Sequence, residues 1–113
     1  MTTNYQSGHE AEKLVAEYLE SHGFKILELN WRTRWCEIDI IASKQDTIHF
    51  IEVKSRHTNT QGTGFDYITA KKLKQMKFAA EFWLAKFNWE GESCLSAVEV
   101  DSGSNLQFVE NIA

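Results

Sequence analysis

Two β-type runs joined by a very short turn constrain the fold of this 113-residue chain more than any other feature. Residues 35–43 (WCEIDIIAS) and 47–55 (TIHFIEVKS) are rich in the β-branched and aromatic residues typical of strands, and only KQD separates them. Strands joined so closely pair antiparallel. The chain is therefore predicted to contain a β-hairpin.

The hairpin carries acidic residues at the end away from its turn. Side chains alternate between the two faces of a strand, which gives Glu52 and Lys54 a common face with Phe50. Asp39 and Glu52 are about equally far from the turn, so they should be near cross-strand neighbours. Two carboxylates that close repel each other unless one is protonated or a cation bridges them, and a hard divalent ion such as Mg²⁺ would resolve the conflict. The opposite face of the first strand is predicted to be apolar and contains Ile38, Ile40 and Ala42.

Two helices and three further strands are predicted around the hairpin. Residues 8–22 repeat apolar side chains at helical spacing, and Gly23 ends this helix. A second helix, capped by Asp66 or Thr69, runs to about Phe87. The further strands are residues 24–31, 94–101 and 105–111, and a loop covers residues 56–66. This order predicts one α/β domain, residues 1–113, with a mixed sheet flanked by helices.

The first helix offers a third carboxylate. At about 100° per residue, Glu12 falls between Ala16 and Leu19 at the edge of the apolar arc, although its charge gives it no reason to face the sheet. We therefore expect Glu12 to join Asp39 and Glu52 at one site.

Composition excludes several classes of protein. Hydrophobic residues at 42% and charged residues at 25% are ordinary values for a globular chain. No run reaches the roughly 18 apolar residues of a membrane span, and the N-terminal segment is polar, so we expect a soluble cytoplasmic protein without a membrane partner. Cys36 and Cys94 lie far apart and outside any C-x-x-C pair, which favours two reduced thiols over a zinc knuckle.

The net charge of −4 is unevenly distributed along the chain. Residues 54–77 hold six basic residues and one acidic residue, a local charge of +5, so the rest of the chain carries −9. A basic segment on an acidic protein is typical of a polyanion site, although a solvated helix face is the plainer interpretation. The residues predicted to bind nucleic acid are Arg34, Arg56, Lys71, Lys72 and Lys74. Trp31 and Trp35, which flank two arginines, are open to two interpretations, packing against the protein or stacking on bases.

Three motifs together carry a resemblance to a known family. They are G-x-x-x-E at residues 8–12, EIDII at 37–41 and IEVKSR at 51–56. The chain resembles, over roughly residues 8–100, the YraN-like family of uncharacterised bacterial proteins. That family is similar to a branch of the PD-(D/E)XK nuclease superfamily close to archaeal Holliday-junction resolvases. The resemblance implies a restriction-endonuclease-like three-layer fold.

The resemblance also implies roles for individual residues. Asp39 and Glu52 would bind Mg²⁺ or Mn²⁺, with the backbone carbonyl of Val53 completing the shell. Lys54 would orient or deprotonate the attacking water or stabilise the charged phosphorane, and Glu12 would be the additional acid of resolvase-like members. One departure is Cys36, which replaces a glycine that permits close approach of the backbone.

Three functions remain open from the sequence. The first is a metal-dependent endonuclease that hydrolyses phosphodiester bonds in DNA, with branched and single-stranded structures among the candidate substrates. The second is a catalytically silent nucleic-acid-binding module of the same fold. The third is a structural or partner-binding domain without nucleic acid, in which the charges form strand-end salt bridges. Resolvase-like relatives are dimers, so the apolar end of the second helix is interpreted either as a homodimer contact or as buried core. This apolar end comprises Phe82, Trp83, Leu84 and Phe87.

Overall fold

A computed structural model describes residues 4–55, 68–101 and 104–112, with side chains described from Glu10 onward. Within these ranges the elements follow the predicted order. They are α1 (Asn4–Ser21), β1 (Lys25–Arg32), β2 (Glu37–Lys44), β3 (Thr47–Ser55), α2 (Ala70–Lys86), β4 (Glu92–Val100) and β5 (Leu106–Val109). The predicted loop, residues 56–66 with Arg56, lies outside the described residues.

The strands of the described residues form one mixed sheet in the order β1-β2-β3-β4-β5. Strands β3 and β4 are parallel, and the other neighbouring pairs are antiparallel. Parallel neighbours need a crossover connection, which α2 supplies between β3 and β4. The sequence prediction of a mixed sheet in a helix-flanked α/β fold is confirmed.

The turn of the β2–β3 hairpin is shorter than predicted. Lys44 pairs with Thr47, which leaves Gln45 and Asp46 as a two-residue loop. Their φ angles of 50° and 65° are those of a type I′ turn, whose twist matches that of the flanking strands. The turn fixes the register of the hairpin up to the pair Ile40 and Ile51.

Each face of the sheet is covered by one helix, so the fold has three layers. On one face, Val15 and Leu19 of α1 are fully buried against Ile40, Ile51 and Val98. On the other face, the buried side chains of α2 pack on a second cluster of sheet residues. This second cluster contains Trp31, Ile38, Ile41, Ile48, Phe50, Met76, Ala79, Ala80, Trp83 and Leu95. The three-layer arrangement is the one that the sequence predicted.

The strand alternation predicted for Ile38 is wrong. Ile38 packs in the α2-side cluster, whereas Ile40 and Ala42 pack under α1. Its partner in the register is Trp31, which follows Asn30 with a φ of 53°. Ile38 lies beyond Ile40, where the ladder between β2 and β3 ends, and it packs with Trp31 on the α2 side.

The start of α2 is set by Thr69 rather than by Asp66. The hydroxyl Oγ1 of Thr69 accepts a hydrogen bond from the backbone N–H of Lys72 at 3.0 Å. This cap satisfies one of the N–H groups that a helix leaves without an internal partner. It also fixes Lys72 in the first turn of the helix, beside the end of β3.

The aromatic end of α2 has both buried and exposed members. Trp83 is core, and its indole N–H donates to Oε2 of Glu28 at 3.1 Å. Phe87, four residues later, is half exposed. Among the described residues, no helix is both long and apolar enough to cross a membrane. The homodimer remains a prediction.

Candidate functional site

Asp39 and Glu52 lie opposite each other at the open end of the hairpin. The β2–β3 ladder ends at Ile40 and Ile51, and the same register one step further sets Asp39 against Glu52. Oδ2 of Asp39 accepts a hydrogen bond from the backbone N–H of Val53 at 2.8 Å. The Asp39 carboxylate thus occupies the position where β2 would otherwise have continued the ladder. The two neighbouring strands therefore direct their acidic side chains to a common spot, as predicted.

The two carboxyl groups are electrostatically coupled and hydrogen-bonded to each other. Burial, reinforced by the nearby charge of Asp39, raises the pKa of Glu52 to about 7. Burial also raises the pKa of Asp39, although the hydrogen bond from Val53 opposes the shift. Two acids held together in a poorly solvated place cannot both ionise easily. The pair therefore retains a proton near neutral pH.

Lys72 reaches this acidic pair from α2. Its Nζ lies 3.1 Å from Oε2 of Glu52, and its positive charge partly opposes the rise that burial causes in the pKa of both acids. The sequence predicted that Lys72 binds phosphate. That role stays a prediction; in this structure the first turn of α2, capped by Thr69, places the ammonium of Lys72 beside Glu52.

Glu12 does not complete a group of three acids. Among the described residues, no three or more His, Cys, Asp or Glu side chains are arranged to hold a metal ion. Helix α1 packs on the face of Ile40 and Ile51, whereas Glu52 pairs with Lys72 on the α2 side. The role predicted for Glu12 therefore stays a prediction, with α1 packed on the face of the sheet opposite to Lys72.

Lys54 and a residue missed in the sequence lie at the same end of the sheet. Lys54 is exposed and is paired in the register with Glu99 of β4, which is only 8% exposed. Alternation places Glu99 on the face of Leu95, the α2 side, next to the strand that carries Glu52. The signal was available, since Glu99 is a charged residue between the apolar residues Val98 and Val100 of β4.

The donor set at the acidic pair fits a hard divalent cation. It consists of the two carboxylates and the carbonyl of Val53, which faces the same neighbouring strand as the Val53 N–H bound to Asp39. Oxygen ligands of this kind suit Mg²⁺ or Mn²⁺. A cation would also take the place of the proton that the pair retains.

A groove of about 590 Å³ adjoins the acidic pair, between the β1–β2 connection and the first half of α2. Of its described lining residues, Glu37 is acidic and four are basic: Arg32, Lys71, Lys72 and Lys74. Three predicted nucleic-acid-binding lysines therefore line one surface. Arg34 lies outside this lining, and its guanidinium is 5.4 Å from the centre of the Trp35 ring.

Cys36, at the position of the family glycine, lines the same groove and is half buried. Its thiol lies 3.4 Å from the hydroxyl of Thr33, which also accepts the Cys36 N–H at 3.2 Å. The cysteine side chain is thus accommodated in the connection that precedes β2.

A second cavity, of about 420 Å³, lies toward the turn end of the hairpin. Cys94 Sγ is 3.1 Å from Nδ1 of His49, whose pKa burial lowers. Both cysteines are free thiols, as predicted.

Comparison with known proteins gives a consistent result. A family model described as uncharacterised protein family UPF0102 matches residues 11–108. A UPF0102 protein of Campylobacter hominis is 35% identical over 96% of this chain and 95% of its own length. One from a Sulfurihydrogenibium species is 36% identical over 94% of this chain and 92% of its own, and one from Geobacter metallireducens is 45% identical over 74% and 68%. The chain belongs to UPF0102, the YraN-like family of uncharacterised proteins.

Proposed function

We propose that this protein is a metal-dependent nuclease that hydrolyses phosphodiester bonds in DNA. The observation that carries the proposal is the pairing of Asp39 with Glu52, whose pKa is raised to about 7, beside a groove lined by basic residues. Carboxylates with strongly raised pKa values at the edge of a cleft are typical of functional sites. If the two carboxylates served only the structure, a second basic side chain beside Lys72 would be the simpler way to balance their charge.

The residues of this chain would divide the work as follows. A bound Mg²⁺ or Mn²⁺ supplies a Lewis acid for the phosphate and lowers the pKa of a water molecule. Asp39 and Glu52 hold the ion, and the Val53 N–H fixes the orientation of Asp39. Lys54, exposed two residues after Glu52, stabilises the negative charge that develops on the phosphate.

Lys72 would change partner during this cycle. In the structure described here it neutralises Glu52 at 3.1 Å. A divalent cation at the acidic pair would supply that neutralisation instead, and the ammonium would be free to turn into the groove that it already lines. There it would contact the phosphate backbone of the substrate.

The second candidate is a nucleic-acid-binding module without turnover. It is favoured by the finding that Asp39 and Glu52 form a pair rather than a group of three acids among the described residues. In that case the basic groove would bind nucleic acid, and the acidic pair would be held by its proton and Lys72.

A cleavage assay tests the proposal. Linear duplex, single-stranded, flap and four-way DNA are incubated with the protein and Mg²⁺ or Mn²⁺, beside Asp39→Asn and Lys54→Ala. We expect cleavage of at least one substrate, with a loss of about 100-fold or more in both variants. Asp46→Asn is the matched control, because it makes the same chemical change in the type I′ turn, where asparagine is well tolerated.

The outcomes separate the two candidates. Cleavage that survives Asp39→Asn contradicts the assignment of the site. Salt-sensitive DNA binding without cleavage of any substrate would leave the silent binding module.

A further inference from the structure

Two aromatic side chains stand in solvent on the groove beside the acidic pair. Trp35 is 66% exposed and Phe78 is 50% exposed, and both line the groove. Phe82 connects them, with ring centroids 6.2 Å from Trp35 and 6.4 Å from Phe78. Large aromatic surface left in water on a concave site indicates a ligand with flat apolar faces.

The backbone that carries Trp35 is tied by hydrogen bonds before any ligand arrives. Oγ1 of Thr33 accepts hydrogen bonds from the backbone N–H groups of Trp35 at 3.1 Å and Cys36 at 3.2 Å. The N–H of Thr33 donates to the carbonyl of Cys36 at 2.8 Å, which closes this short connection. The Arg34 guanidinium over the indole restricts it further. With its backbone tied in this way, the connection loses less conformational entropy when Trp35 stacks on a ligand.

Basic side chains surround these aromatic rings. Arg32, Lys71 and Lys74 line the groove on both sides, and the ion pair of Arg32 with Glu37 is a loose surface contact of 3.6 Å. Aromatic rings interleaved with cations match unpaired nucleotides, whose bases stack while their phosphates meet positive charge. A duplex offers the phosphates but keeps its bases stacked on one another, so Trp35 and Phe78 would gain nothing from it.

We propose that this groove binds an unpaired segment of nucleic acid, with bases stacked on Trp35 and Phe78 and the backbone led toward the acidic pair. The inference rests on the proposed function, since it names the substrate class of the same site. Lys72 joins the two regions, because it lines the groove and pairs with Glu52. The substrate is therefore DNA with a single-stranded segment next to the scissile phosphate.

Binding without metal tests this inference separately from cleavage. A fluorescently labelled oligo(dT) and a hairpin duplex of equal nucleotide number are titrated with the protein in EDTA, beside Trp35→Ala, Trp35→Phe and Phe78→Ala. We expect Trp35→Ala and Phe78→Ala each to weaken oligo(dT) binding about 10-fold, with duplex binding changed less than about twofold. Trp35→Phe keeps a stacking ring and should retain most of the affinity.

Phe87→Ala is the matched control. Phe87 lies at the end of α2, the helix that carries Phe78, and like Phe78 it is 50% exposed. It is not among the lining residues of the groove. It should leave oligo(dT) binding unchanged. Wild-type tryptophan emission should also be quenched by oligo(dT), and a variant with Trp35 replaced by phenylalanine should lose most of that quenching.

Three results would overturn the inference. They are equal losses for single-stranded and duplex DNA, no loss in either groove variant, and a concentration-dependent dimer that Trp35→Ala dissolves, which would assign the rings to a second copy of the chain. Cleavage abolished by Asp39→Asn, together with oligo(dT) binding that ignores Trp35, would refute this inference and leave the nuclease proposal intact. Stacking on Trp35 without cleavage of any substrate would refute the nuclease proposal and leave this inference intact.

Discussion

The two ends of the β2–β3 hairpin differ. At the turn end the strands stay paired and their core-facing side chains are apolar. At the other end the ladder stops and two carboxylates are buried together. Phe50 is fully buried within the α2-side cluster, and Glu52, two residues later on the same face, has a pKa raised to about 7. One half of the strand stabilises the fold and the other half destabilises it. When the buried face of a strand changes from apolar to charged side chains without a gain in stability, the charged side chains are expected to bind a ligand.

Truncating the apolar half should have the largest effect on stability. Phe50 has no exposed surface and makes an edge-to-face contact with Trp83 at 5.7 Å. Phe50→Ala should lower the free energy of unfolding by about 3–5 kcal/mol, measured by urea denaturation. A loss below about 1 kcal/mol would mean that the α2-side cluster does not form the core described here.

At Glu52, by contrast, a substitution is expected to raise the free energy of unfolding. Its folded pKa of about 7 lies above its ordinary value of 4.5, so between these pH values the unfolded chain releases the proton before the native state does. Stability without metal should therefore fall as pH rises from 4.5 to 7 and then level off. Glu52→Gln should remove this dependence and raise the free energy of unfolding at pH 8 by about 2 kcal/mol.

Urea denaturation of wild type and Glu52→Gln at pH 5 and pH 8 measures the difference. The two proteins should differ little at pH 5, where Glu52 is protonated. A variant that is less stable than wild type at pH 8 would show that Glu52 is stabilising, and the contrast between the two halves of β3 would fail.

A smaller effect is expected at Lys72. Its ion pair with Glu52 is formed fully only when Glu52 is charged, so Lys72→Met should cost about 1 kcal/mol at pH 8 and less at pH 5. Lys71→Met, at the exposed neighbouring position, is the control and should change stability by under about 0.5 kcal/mol at both pH values. Equal losses for Lys72→Met at the two pH values would contradict the pairing.

The hairpin was predictable because its signals are local. The short turn and the strand alternation together set Asp39 opposite Glu52, and the structure confirms their juxtaposition. Thr69 and Asp66 could both cap α2 by sequence, and only the backbone geometry distinguishes them. Ile38 was misplaced because it lies beyond Ile40, where the ladder between β2 and β3 ends, and the sequence does not mark that point.

The parts of the site that the sequence could not place depend on contacts between elements. Helical periodicity put Glu12 at the edge of an apolar arc, but it could not say which face of the sheet that arc would cover. The pairing of Lys72 with Glu52 joins the crossover helix to the strand before it, and nothing in the spacing fixes that distance. Glu99 was missed although the rule applied to Glu52, a charge within an apolar strand, applies to it equally.

Calorimetric titration of Mn²⁺ at pH 7, in two buffers of different ionisation enthalpy, tests the acidic pair most directly. If Asp39 and Glu52 together hold a divalent cation, one ion should bind with release of about half a proton, because Glu52, with a pKa of about 7, is about half protonated at this pH. Binding should be lost in Asp39→Asn and kept in Asp46→Asn. Absence of binding to the wild type, or Mn²⁺ binding that survives Asp39→Asn, would contradict the account.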